Sequence, residues 1–126
     1  MIIALGIDFV EIERFRHWHT YRQKQLGRIF SQEEIDYCLS EPKKSAERFA
    51  VRFAAKEALF KALCQFYPEK QFKLLILAKN CEIIKTTVAP ELSVDWNALN
   101  IPKLKVLVSL THTRQTASAA VIIQEL

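Results

Sequence analysis

The stretch "RFAAKEALFKAL", Arg52 to Leu63, decides how this chain folds. Projected at about 3.6 residues per turn, Phe49, Phe60 and Cys64 fall within about 40° of Phe53. Val51, Ala54, Ala55, Ala58 and Ala62 gather on the opposite side, a small-residue face on which another element can lie close. The pattern runs from about Ser45 to Phe66 with almost no continuous polar arc, so the spacing predicts a long helix packed on two sides. Yet Glu57 stands at the edge of the aromatic stripe beside Lys61, with Lys56 on the other flank and Arg52 beyond it. Charges on so apolar a helix are costly without strong partners. An ion pair from Glu57 to Lys61, four residues on, is one solution. A site holding a metal and phosphates is another.

Working outward, "IIALGIDFV" (2–10) reads as a buried strand, with Ile3, Leu5, Ile7 and Phe9 on one face and Ala4, Gly6 and Asp8 on the other. "EIERFRHWHTYRQKQL" reads as a helix, with Ile12 and Phe15 at helical spacing. "SQEEIDYCL" carries a capping box, Ser31 with Glu34 three residues later, and Pro42 separates that short helix from the long one. "FKLLILAK" and "CEIIKTTV" read as a strand pair joined near Lys79 and Asn80, and "PELSVDWNALNIP" as a connection. "KLKVLVSL" and "ASAAVIIQ" form a final pair around the turn "THTRQT". The expected class is α+β, a largely antiparallel sheet packed with a long buried helix, in one domain spanning 1–126.

Half the residues are hydrophobic and a quarter charged, the composition of a soluble globular protein. Cys38, Cys64 and Cys81 form no C-x-x-C pair, which points to reduced thiols rather than zinc or redox chemistry. The N-terminal segment lacks a basic region and meets Asp8 too soon for a signal peptide. No apolar run approaches the roughly 18 residues of a membrane helix. A cytoplasmic protein without a membrane partner is the expectation. The net charge of +4 favours an anionic partner, and Arg14, Arg16, Arg22, Lys24 and Arg28 concentrate it in one segment. Interleaved Phe15, Trp18 and Tyr21 leave base stacking open, although no nucleic-acid motif accompanies them.

Asp8 closes an apolar strand, with Gly6 as its neighbour on the same face. Asp8 and Glu11 have the spacing of a helix cap and its reciprocal carboxylate. Alternatively Asp8 is a ligand for a hard cation, with Gly6 leaving room beside it. Mg²⁺ takes one or two carboxylates and completes its shell with water and phosphate oxygens, a requirement that Asp8 and Glu57 meet if the fold brings them together.

Three segments, "GIDFVEIER", "ERFAVRFAAKEALFKA" and "VSLTHT", together resemble the holo-[acyl-carrier-protein] synthases, small bacterial 4′-phosphopantetheinyl transferases. The "RFAAKEAxxKA" pattern is specific, and order, spacing and length agree. The resemblance implies a 4′-phosphopantetheinyl transferase-like fold and Mg²⁺-dependent transfer of the phosphopantetheine arm of coenzyme A to a serine of apo acyl carrier protein. It implies Asp8 and Glu57 as metal ligands, Lys61 on the phosphates, and Arg52, Lys56 and His112 as further contacts to coenzyme A, with Arg52 or Lys56 alternatively bracing the site. For the serine proton it leaves open Glu57, acting through water, and Asp36. Arg14, then Arg22, Lys24 and Arg28, would dock the acidic carrier. A homotrimer is implied, with no nucleic-acid partner. Two departures bear on coenzyme A: "LCQFYPEKQF" replaces a glycine-rich turn, and the family's Gly-Lys-Pro hairpin is missing where "TTVAPEL" stands. A catalytically silent relative and a basic nucleic-acid module are the competing readings.

Overall fold

Helix α3 (Ser45–Phe66) is the element against which the rest is assembled, and its bounds are those the pattern predicts. The computed structural model describes Met1 and residues 3–126; Ile2, which the pattern includes in the first strand, lies outside the described residues. Ahead of α3 come β1 (Ile3–Glu11), α1 (Gln23–Leu26) and α2 (Gln32–Leu39). After it come α4 (Leu74–Lys79), β2 (Cys81–Ile84), β3 (Glu91–Val94), α5 (Trp96–Leu99), β4 (Leu104–His112) and β5 (Thr116–Glu125). A three-stranded antiparallel sheet runs in the order β1-β5-β4, and β2 pairs with β3 as a separate antiparallel ribbon. The class is α+β, as expected.

The sheet lies on the alanine face of α3. Ala54, Ala55, Ala58 and Ala62 are fully buried there, against Ala4 and Val10 of β1 and Ala117, Ala119, Val121 and Ile123 of β5. Strand and helix approach so closely that a Cβ on Gly6 would lie 1.8 Å from the Ala58 carbonyl oxygen and 2.9 Å from the Ala62 nitrogen. Glycine is required by that contact. The reading of Gly6 as room for a cation is corrected: helix backbone fills the space.

The two faces of β1 are those the alternation predicts, with Ala4, Gly6 and Asp8 turned inward. Ile3, Leu5, Ile7 and Phe9 face outward, and Phe9 is 66% exposed. Leu107 of β4 and Ile122 of β5 join them in register, so this chain leaves the outer face of its main sheet apolar and open. Gly6 explains the choice of face, because at that position no side chain fits between β1 and α3.

The segment after β1 is not one helix. Short 3-10 turns span Ile12–Phe15 and Trp18–Thr20 before the single turn of α1. The cause is an aromatic cluster: Trp18 packs against Phe15, Phe30, Phe49 and Phe53 with ring centroids 4.4 to 6.1 Å apart, pulling the chain inward at each turn. The Ser31–Glu34 capping box is present at α2. Residues 74–79 form α4 rather than a strand, with Leu77 and Ala78 buried and Leu75 and Ile76 outside. The strand that pairs with β2 comes instead from residues read as a connection. The final hairpin is as expected.

Candidate active site

Asp8 points from the inner face of β1 towards α3 and is mostly buried. It does not cap a helix; it lies inside the strand, and Glu11, at the N-cap of the following 3-10 turn, makes no side-chain cap bond. Lys61 Nζ donates to Asp8 Oδ1 at 2.9 Å and to the Ile7 carbonyl at 3.1 Å. One turn further along α3, Gln65 Oε1 accepts from Leu5 N at 2.9 Å. The two side chains tie β1 to the helix, which fixes Asp8 against it. Asp8 Oδ2 is buried with no hydrogen-bond partner.

Glu57 faces Asp8. Burial, first, and the neighbouring Asp8 charge push the Glu57 carboxyl above the ordinary glutamate range, against the pull of the Lys61 and Arg14 cations. The two carboxylates are thus near enough within one chain to influence each other, with Lys61 bonded to Asp8. Arg14 stands beside the pair, its guanidinium 5.2 Å from the Phe53 ring centroid. Among the described residues no group of three or more His, Cys, Asp and Glu side chains is placed to hold a metal. The donor set is thus two carboxylates, one with an orphaned buried oxygen. It suits a hard cation that draws its remaining ligands from water and substrate, and the pair fits Mg²⁺.

A second cluster lies about 140° around α3 from Glu57. Arg52 is 6% exposed. Its guanidinium stacks 4.4 Å from the Tyr37 ring centroid, and its Nε is buried without a partner. Arg48 and Lys85 approach the same ring at 4.0 and 4.6 Å. His112 Nδ1 lies 2.7 Å from Glu47 Oε1. An open cavity of about 220 Å³ runs between Tyr37, Arg48, Arg52 and His112. The sequence reading contained Arg52 and His112 but missed Tyr37, Arg48, Glu47 and Lys85. Arg48 and Arg52 share a helix face at four-residue spacing, and that signal was available.

Lys56 is corrected. Its ammonium is 2.8 Å from Glu34 Oε1 and donates to the carbonyls of Ile29, Ala78 and Cys81 at 2.7 to 2.8 Å, with both charged side chains 1% exposed. Glu34 also accepts from Ser31 N and Ile83 N. With every proton engaged inside the core, Lys56 has none for a phosphate and instead joins α2, α3, α4 and β2. Asp36 is exposed and accepts from Gln32 Nε2 at 2.8 Å. Among the described residues no contact links it to Asp8 or Glu57. Arg22, Lys24 and Arg28 are exposed along the segment that begins near Arg14.

The fold is that of a phosphopantetheinyl transferase: the chain belongs to the 4′-phosphopantetheinyl transferase superfamily, whose family model matches residues 4–118. It is an enzyme of that class, and its relatives are holo-[acyl-carrier-protein] synthases. The synthase of Treponema denticola is 40% identical over 98% of this chain and 99% of its own length. The Chronobacterium ammoniagenes ACPS-CoA complex superposes with a TM-score of 0.82 over 100% of this chain and 99% of that one, at 21% identity. The Helicobacter pylori synthase, solved in complex with coenzyme A, gives 0.72 over 95% and 99% at 27% identity. Among the described residues no helix is long and apolar enough to cross a membrane.

Proposed function

We propose that this chain, acting as one domain over residues 1–126, transfers the 4′-phosphopantetheine arm of coenzyme A to a serine of apo acyl carrier protein, releasing adenosine 3′,5′-bisphosphate. The observation that carries the reading is the nearness of Asp8 and Glu57, with Lys61 at 2.9 Å from Asp8, in a member of this family. Asp8 and Glu57 would hold Mg²⁺; when bound, the ion offsets the negative charge of the pyrophosphate during phosphoryl transfer. Lys61 is half-exposed and uses two protons on β1, leaving a third to donate to a phosphate oxygen. Glu57 would take the serine proton through water. Asp36 is not needed for that step.

The nucleotide end of coenzyme A is assigned to Arg52 and His112, helped by Arg48 and the Tyr37 face. These groups lie on a different side of α3 from Glu57, so one ligand reaches both sets when two copies of the chain adjoin. The open apolar face of Ile3, Leu5, Ile7, Phe9, Leu107 and Ile122 supports such an assembly, and a homotrimer in the cytoplasm is the form proposed. Arg14, Arg22, Lys24 and Arg28 would steer the acidic carrier, an effect that salt weakens.

The test is to incubate the protein with coenzyme A, Mg²⁺ and apo carrier protein and to weigh the carrier by mass spectrometry. The carrier should gain one phosphopantetheine with the native protein and none with Glu57→Gln. An unchanged carrier mass with the native, folded protein would refute the reading.

A further inference from the structure

We propose that the carrier's docking surface extends beyond the basic segment onto α4, where Leu75, Ile76 and Lys79 complete a groove for an acidic amphipathic helix. This rests on the transferase reading above. The groove has a volume of about 790 Å³, and Lys24 and Arg28 form its other wall. Leu75 and Ile76 are consecutive on a short helix and 57% and 51% exposed, although neighbouring Leu77 and Ala78 are buried. Their exposure is imposed from behind: the Ala78 and Cys81 carbonyls accept from Lys56, which fixes the rotation of α4. Lys79 follows Leu75 by one helical turn and so rises on the same side.

Across the groove, Lys24 and Arg28 are four residues apart, and Gly27 between them contributes no side chain to narrow it. No carboxylate is among the residues lining it. An apolar floor with cations on both rims complements a helix whose apolar ridge is flanked by Asp and Glu. A free anion would have no use for the two aliphatic residues, and a flat bilayer would not fill a concavity. The occupant is assigned to the carrier because the cationic segment is continuous: it begins at Arg14 beside Glu57 and ends at Arg28 on the groove's rim.

Two surface variants test this, Leu75→Ser with Ile76→Ser, and Lys79→Glu alone. Fluorescently labelled apo carrier protein is titrated with each protein and read by anisotropy, beside steady-state transfer. Both variants should weaken carrier binding and raise the carrier's KM by about tenfold, while the KM for coenzyme A stays within about twofold. Added salt should cost Lys79→Glu less affinity than it costs the native protein. Native-like carrier binding in both variants, with transfer intact in the native protein, overturns the groove and leaves the transferase reading standing. If the native protein neither binds nor modifies the carrier, both readings fall together. A change in subunit number of the variants by light scattering, with carrier binding unaltered, would assign the groove to a second copy of the chain and also overturn the proposal.

Discussion

Replacing Gly6 with alanine adds one methyl group at the contact that positions the active site. Its Cβ would sit 1.8 Å from the Ala58 carbonyl oxygen and 2.8 Å from the Ala58 carbonyl carbon, both backbone atoms of α3. An ordinary contact begins near 3.4 Å, so strand and helix must part by about 1.6 Å. No flexible side chain is there to move aside. Overpacking a tight core by one methyl commonly costs about 1–3 kcal/mol, and a backbone obstacle puts this case at the upper end. Restricting the unfolded chain returns about 0.4–1 kcal/mol, since Gly6 does not have positive φ and alanine suffers no backbone strain there. The net expectation is a loss of about 2–2.6 kcal/mol, read by urea unfolding from the midpoint with the slope unchanged. Asp8, two residues along, must move with β1 away from Glu57, and a displacement of about 1 Å at reacting groups can cost about a hundredfold in rate. Stability within about 0.5 kcal/mol of native, with transfer undiminished, would refute the close-packing argument.

Three further outcomes follow from the same geometry. Lys56→Met leaves Glu34 buried without its cation and should destabilise the protein by about 3–5 kcal/mol in urea unfolding; a loss under about 1 kcal/mol would contradict the structural role given to Lys56. Because the folded metal-free protein holds Glu57 above the ordinary carboxylate range, it binds more protons than the unfolded chain between the two pKa values, so stability falls as pH rises through that window. Glu57→Gln removes this slope, and the metal-free variant should be the more stable at pH 7, with the gap closing in acid below the unfolded pKa; thermal melts across pH in chelator would show an unchanged gap if the site were misread. Ile7→Glu places a charge in the centre of the open sheet face and should convert the proposed trimer to monomers by light scattering; a native-like subunit number would put any interface elsewhere.

Much of this was written in local pattern. The limits of α3, the Ser31 capping box and the β4–β5 hairpin rest on near-neighbour spacing, which sequence displays directly. The isolation of Asp8 and Glu57 among apolar residues was equally visible, and it was tertiary structure that brought them together. What escaped was decided at a distance. Alternation in β1 told which residues share a face, but that Gly6 is needed to let the strand lie on the Ala58 carbonyl is a contact made across the core. The apolar run of α4 is too short for periodicity to separate strand from helix, and Lys56, far away in the chain, needs the helical carbonyl of Ala78. Residues 12–20 turn inward to place Phe15 and Trp18 among rings supplied by α3 and Phe30, overriding the helical spacing of the segment. Lys56 reads in sequence either as a phosphate contact or as a brace, and local spacing shows Glu34 only as a cap; Glu34 in fact both caps α2 and pairs with Lys56.

Titration with Mn²⁺, following free ion by electron paramagnetic resonance in the presence of coenzyme A, tests the proposed metal site most directly. One ion should bind per chain in the native protein, and Asp8→Asn and Glu57→Gln should each weaken it by about a hundredfold while the chain stays folded. Native affinity in either variant would mean that these two carboxylates do not hold a common cation.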